Sequence, residues 1–231
     1  MEPIMRHLFA ILATVLLSAT AHAFSVDQLS NKDTAGGLKE ALTQGAGKAV
    51  DLLGKNDGFL GNPKVKIGLP GGLDKAAGMM RSFGMAKYVD ELETAMNRAA
   101  EAAVPEAKAM LVDAIKKMSV EDAKGVLTGG DDAATQYFRR TTAEPLGEKF
   151  KPIIQKAIAK VNLAEKYDQF AGKAAKFGLV KEKDAHLDGY VTGKALDGLY
   201  LMIAEEEKAI RTNPVGAAGN LAKKVFGALG N

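Results

Sequence analysis

The sequence predicts an all-α protein: a compact multi-helix domain of short amphipathic helices with one extended Gly/Pro-rich loop. Three observations predict it. Apolar residues recur every three or four positions along most of the chain, which is the helical period. Glycine, proline and asparagine cluster between those runs, where a helix must stop. Only one short stretch alternates as a strand does, and it has no second stretch to pair with.

The first segment stands outside the fold. MEPIMRHLFAILATVLLSATAHA, residues 1–23, has a short polar head with Arg6 and His7, an apolar run from Leu8 to Leu17, and small residues ending in Ala21-His22-Ala23. That is the order of a secretory signal peptide cleaved after Ala23, and it favours cleavage over an uncleaved anchor. The expected mature chain is a single helical domain over 24–231, without a transmembrane segment, in the periplasm or secreted. The chain has no cysteine. It therefore has no disulfide, no thiol nucleophile and no lipid-anchor cysteine.

Leu38, Leu42, Ala46, Ala49 and Leu53 make the apolar face of a first helix. The loop 54–72, GKNDGFLGNPKVKIGLPGG, breaks it by composition. Inside the loop Val65, Ile67 and Leu69 alternate with Lys66 and Gly68, which reads as an extended arm laid over helices. Helical spacing resumes at Leu73, Ala76, Ala77, Met80 and Phe83, and Gly84 ends it. Val89, Leu92, Met96, Ala99 and Ala103 carry the next helix, up to a break at Pro105. Leu111, Ala114, Ile115 and Met118 mark another. Ser119 with Asp122 has the spacing of a capping box, which starts a short helix ending near Leu127.

Gly129-Gly130 punctuates the chain before the helix of DDAATQYFRR. Pro145 starts or kinks a further helix with Leu146, Phe150, Ile154 and Ile158 inside. Leu163, Tyr167, Phe170, Ala174 and Phe177 continue the pattern to Gly178. The longest helix is expected around 185–211, with Leu187, Val191, Leu199, Met202, Ile203 and Ile210 inward. Gly189, Gly193 and Gly198 interrupt it at a cost of about 1 kcal/mol each against alanine. Close approach of another helix is the expected compensation, and a ligand against bare backbone is the sharper alternative. Asn213-Pro214 opens a last helix. About nine helices result.

Charge and motif content exclude several functions. With 31 Lys+Arg against 28 Asp+Glu the net charge is +3, too even for a nucleic-acid-binding face. His7 and His22 fall in the leader, which leaves His186 alone and removes His-rich zinc sites. No serine lies in G-x-S-x-G, and no phosphate-binding or dinucleotide fingerprint is present. No cofactor is expected.

Three constellations are candidates. In LTGGDDAATQYFRR, 127–140, Asp131 or Asp132 caps the helix and suits its positive end. The functional reading makes Asp131, Asp132, Thr135, Gln136, Arg139 and Arg140 a polar ligand site. A phosphate cradle is disfavoured, because two carboxylates occupy the place of the anion. DAHLDGYVTGKA, 184–195, imitates a calcium loop but has Ala195 where the bidentate Glu belongs, so helix initiation by Asp184 is the better account. Glu93, Asn97 and Glu101 share a helix face; Asn97 and Glu101 are ligand-binding candidates, against a plain solvated surface.

KEALTQGAGKAVDLLGKNDGFLGNPKVKIGLPGGL, VDELETAMNRAAEAAVPEAK, LTGGDDAATQYFRR and KALDGLYLMIAEEEKAIR closely resemble the bacterial family known as domain of unknown function 4197, over roughly residues 33–227. The resemblance implies an exported, mostly helical protein of bacteria with an outer membrane. It implies no activity, so no residue role is carried over.

The functional expectation is a soluble periplasmic helical module, without catalytic activity, that binds a protein or an apolar small molecule. Met79, Met80, Met96, Met110 and Met202 offer an adaptable cavity for that, against the commoner reading of plain core filler. The alternative is a carboxylate- or metal-assisted hydrolase built on Asp131, Asp132 and Arg139.

Overall fold

The structure, a computed structural model, describes residues 31–70, 74–84, 86–160, 164, 165, 168 and 186–213. The expected leader, most of the helix expected over 163–178 (all but 164, 165 and 168) and the helix expected after Pro214 lie outside the described residues. The helices are α1 (Asn31–Leu53), α2 (Asp74–Ser82), α3 (Ala86–Ala103), α4 (Ala107–Lys117), α5 (Val120–Thr128), α6 (Ala133–Ile158) and α7 (Leu187–Thr212). A 3-10 turn, Val104–Glu106, joins α3 to α4 around Pro105. No strand occurs among the described residues, so the protein is all-α.

Each long helix buries one apolar stripe. Leu38, Leu42, Ala46, Ala49 and Leu53 of α1 are all inside, as are Val89, Leu92, Met96, Ala99 and Ala103 of α3. Phe138, Leu146, Phe150 and Ile154 line α6, and Val191, Leu199 and Ile203 line α7. Each such large side chain contributes roughly 1.5–3 kcal/mol by leaving water. α6 and α7 run antiparallel, since Ala134 meets Glu207, Thr142 meets Tyr200 and Lys151 meets Asp188. α3 covers α6, and α1 covers α7.

Residues 54–70 cross this bundle without regular structure. Phe59, Val65, Ile67 and Leu69 are buried, while Lys66 and Gly68 face out. Gly198 of α7 exists for this segment: a Cβ there would stand 2.7 Å from Cε1 of Phe59 and 3.3 Å from Cβ of Val65. The close neighbour is thus the loop, not the helix that the sequence led us to expect. Gly193 has open space beside it.

Two sequence expectations are corrected. Pro145 does not start a helix, because α6 runs through both Pro145 and Pro152. Each proline leaves the carbonyl four residues back without a donor. Those carbonyls belong to Thr141 and Glu148, both exposed residues. Phe83 does not join the core but is 74% exposed, beside Met79 at 63%. α2 packs chiefly on α3 and buries only Ala77 among its described side chains, and the chain turns at Gly84 with φ 77° before Phe83 can be covered. The longest helix expected around 185–211 is α7, Leu187–Thr212.

Candidate functional site

The Gly129-Gly130 corner is tight at its first residue. A Cβ on Gly129 would meet the Ala133 Cβ and the Gly125 carbonyl oxygen at 2.7 Å each. Asp132 occupies the N-cap position of α6, yet its side chain makes no cap bond. Its backbone, at φ −121° and ψ 17°, lacks the extended geometry that turns a cap side chain toward the helix amides. Asp132 Oδ2 instead accepts from Gln136 Nε2 at 2.9 Å, and both aspartates are exposed.

Glu207 of α7 supplies the cap. Oε1 accepts the Ala134 N–H and Oε2 the Thr135 N–H, each at 2.9 Å. The Thr135 hydroxyl donates to Oε2 at 2.9 Å. Arg211 balances the buried carboxylate, donating to Oε1 from Nη2 at 2.8 Å, and also reaches the Val126 carbonyl of α5 at 2.7 Å. One carboxylate thereby satisfies two orphan amides, meets the positive end of the helix dipole and joins three helices.

Arg139 and Arg140 lie mid-helix, not in a last turn, because α6 continues to Ile158. They leave on opposite flanks with matching partners. Arg139 stacks 4.7 Å from the Tyr200 ring centroid and pairs with Asp197 at 3.3 Å. Arg140 stacks 5.5 Å from the Tyr137 ring and pairs with Asp122 at 3.2 Å. Among the described residues no ion pair joins Arg139 to Asp131 or Asp132. Both tyrosine hydroxyls are engaged, Tyr137 donating to the Ala114 carbonyl at 2.8 Å and Tyr200 lying 2.9 Å from the Thr142 hydroxyl. Burial pushes both phenols above their ordinary pKa. The Asp122 charge adds to the rise at Tyr137, where Arg140 opposes it. The Thr142 hydrogen bond and Arg139 oppose it at Tyr200.

Asn97 and Glu101 form a separate cluster. Neither is solvated surface: they are 0% and 5% exposed. Asn97 grips residue 67 with both ends of its amide, accepting the Ile67 N–H and donating to the Ile67 carbonyl at 2.8 Å each. Glu101 Oε1 accepts the Phe59 and Leu60 N–H groups at 3.0 and 3.1 Å, while Oε2 takes Arg98 at 2.6 Å. Arg98 then reaches Asp57 at 2.8 Å. These residues hold the 54–70 segment, and none of their bonds meets the 131–140 set.

Of the calcium-like stretch, Asp184 lies outside the described residues. His186 is the N-cap of α7 and makes no side-chain cap bond. Asp168 Oδ1 accepts the Leu187 N–H at 2.8 Å, and its other oxygen lies 4.0 Å from His186 Nδ1. Asp188 folds back on the Gly189 N–H at 2.7 Å. Among the described residues no three His, Asp or Glu side chains group as metal ligands.

Two clefts stand out on the surface formed by the described residues. One, of about 580 Å³, lies where α6 ends and α7 begins, beside Lys151, Asp168 and His186. The other, of about 600 Å³, lies between α4, α5 and α6 and is lined by Met110, Ala114, Lys117, Tyr137, Arg140 and Pro145, with Asp113 and Asp122 at its sides. Of the polar candidates only Arg140 lines it, and of the methionines named as an adaptable cavity only Met110 does. Its other walls come from three helices that no local pattern links. The capping box at its edge was legible, with Ser119 and Asp122 exchanging backbone and side-chain bonds.

A family model described as a protein of unknown function (DUF4197) matches residues 28–227. No curated protein and no solved structure matches the chain.

Proposed function

The chain belongs to the DUF4197 family, and from that premise we propose that it is an exported helical binding module whose ligand seat is the cleft between α4, α5 and α6. The observation that carries this reading is the lining of that cleft. An apolar wall of Met110, Ala114 and Pro145 stands beside the cations Lys117 and Arg140 in about 600 Å³. A concave, mixed surface of that size suits a small ligand. The carboxylates at the rim favour binding over acid–base chemistry: Asp122 is held by Arg140 and Ser119, and Asp113 lies 3.7 Å from Lys116. Export rests on residues 1–23, whose polar head, apolar run and Ala-x-Ala ending suit a signal peptidase.

The test is native mass spectrometry on protein purified from the periplasmic fraction. The expected species begins at Phe24 and carries a bound small molecule, which a Thr141→Trp variant with a filled cleft loses. An unprocessed leader defeats the export reading. A ligand-free mass for the natural chain, with no stabilisation by any added small molecule, defeats the binding reading.

A further inference from the structure

We propose that the α4–α5–α6 cleft selects a ligand with a carboxylate head on an apolar body, an inference that rests on reading this cleft as the binding seat. The cations decide the class. Lys117 lies exposed at the cleft, and no ion pair joins it to a carboxylate among the described residues. Arg140 stands on the same cleft with its side chain 67% exposed. It stacks on Tyr137 and gives one hydrogen bond, from Nη2 to Asp122 Oδ1 at 3.2 Å. A guanidinium has five donors in a planar fork, so most of this one is unspent.

Of the two carboxylates nearby, Asp122 is the more fully engaged. Asp122 accepts from the Ser119 backbone and hydroxyl as well as from Arg140. Asp113 lies 3.7 Å from Lys116. The unspent donors of Arg140 and Lys117 stand beside the apolar wall of Met110, Ala114 and Pro145. A neutral apolar molecule leaves those donors unused, and a cationic one meets like charge. A carboxylate accepts two parallel bonds from the Arg140 fork and sits close to the Lys117 ammonium. The Thr141 hydroxyl does not compete for it, since it donates to the Tyr137 carbonyl of its own helix at 2.8 Å. A fatty acid and the free end of an apolar peptide present this same chemistry.

Titration calorimetry on the mature chain tests the proposal with four probes: decanoate, decanol, an apolar tripeptide with a free carboxylate, and its amide. At least one carboxylate probe should bind, with its uncharged counterpart about tenfold weaker. The tighter of the two carboxylates identifies the source. Arg140→Gln and Lys117→Gln, both on exposed side chains, should each weaken the carboxylate probe about tenfold while leaving the melting temperature in place. Equal binding of charged and uncharged probes overturns the proposal, as does unchanged affinity in both variants or no binding of either carboxylate. Thr141→Trp separates the two levels. If carboxylate binding survives it, the seat lies elsewhere and the cleft reading fails. If it abolishes charged and uncharged binding alike, the seat stands and only the carboxylate class depends on the probe comparison.

Discussion

Glu207 and Thr135 meet in the interior although 72 residues separate them: one carboxylate oxygen accepts both the Thr135 amide and its hydroxyl at 2.9 Å. Glu207→Ala leaves the buried Ala134 and Thr135 amides without their acceptor and removes the carboxylate that Arg211 pairs with. Breaking one side of a buried charged network costs about 3–5 kcal/mol. Urea unfolding should read that loss, with Glu207→Gln intermediate because it keeps one acceptor. Wild-type stability in the alanine variant would remove Glu207 from its place in the fold.

Glu101→Ala should loosen residues 54–70 while the helices stay folded. Phe59 and Leu60 lose their amide acceptor. Hydrogen exchange at those two amides should accelerate at least about tenfold, the effect of roughly 1.4 kcal/mol of lost protection. Unchanged exchange there would show that the segment is held by its apolar side chains alone.

The glycines of α7 should answer alanine with opposite signs. Gly198→Ala drives a methyl into Phe59 and costs about 1–3 kcal/mol. Gly193→Ala meets nothing within 4 Å and stabilises by about 0.5–1 kcal/mol through helix propensity. Paired thermal melts check both, and equal shifts would contradict the packing described.

Pro145→Ala restores an amide donor to the Thr141 carbonyl on the exposed face of α6. The gain should be about 1–3 kcal/mol, less than the full cost of a helical proline because proline also restricts the unfolded chain. A variant less stable than the natural chain would mean that Pro145 contributes packing in its cleft.

Stability should fall in alkali above about pH 10, the ordinary tyrosine value. Burial raises both Tyr137 and Tyr200 in the folded state. Between the unfolded and folded pKa values the folded chain holds more protons, so stability is complete below the first and declines as pH rises through the second. Tyr200→Phe should flatten that decline in denaturant titrations across this range. An unchanged slope would assign the effect to other groups.

The helices were largely legible, because an apolar period is a local property. Ser119 and Asp122 were readable for the same reason: both partners of a capping box fall within four residues. Asn97 and Glu101 drew attention by spacing, but what they hold lies some 30 to 42 residues earlier. Glu207 left a fainter mark. It falls four residues after buried Ile203 and eight after buried Leu199, so a carboxylate interrupts the apolar stripe of α7. A charge on such a stripe requires a buried partner, and the sequence does not say which. Asp132 attracted the cap assignment because it is adjacent to the helix, and adjacency failed once a distant carboxylate took the amides. Of the α4–α5–α6 cleft the sequence marked Met110, Arg140 and the Asp122 of the capping box, with nothing to link them.

The Glu207 clasp also sets an order of events. A ribosome delivers Ala134 long before it delivers the residue that closes over it, 73 positions later. Until then the amino end of α6 stays open to water, and α5 lacks the Arg211 tie at Val126. A nascent or truncated chain ending before α7 should therefore stay loose and protease-sensitive.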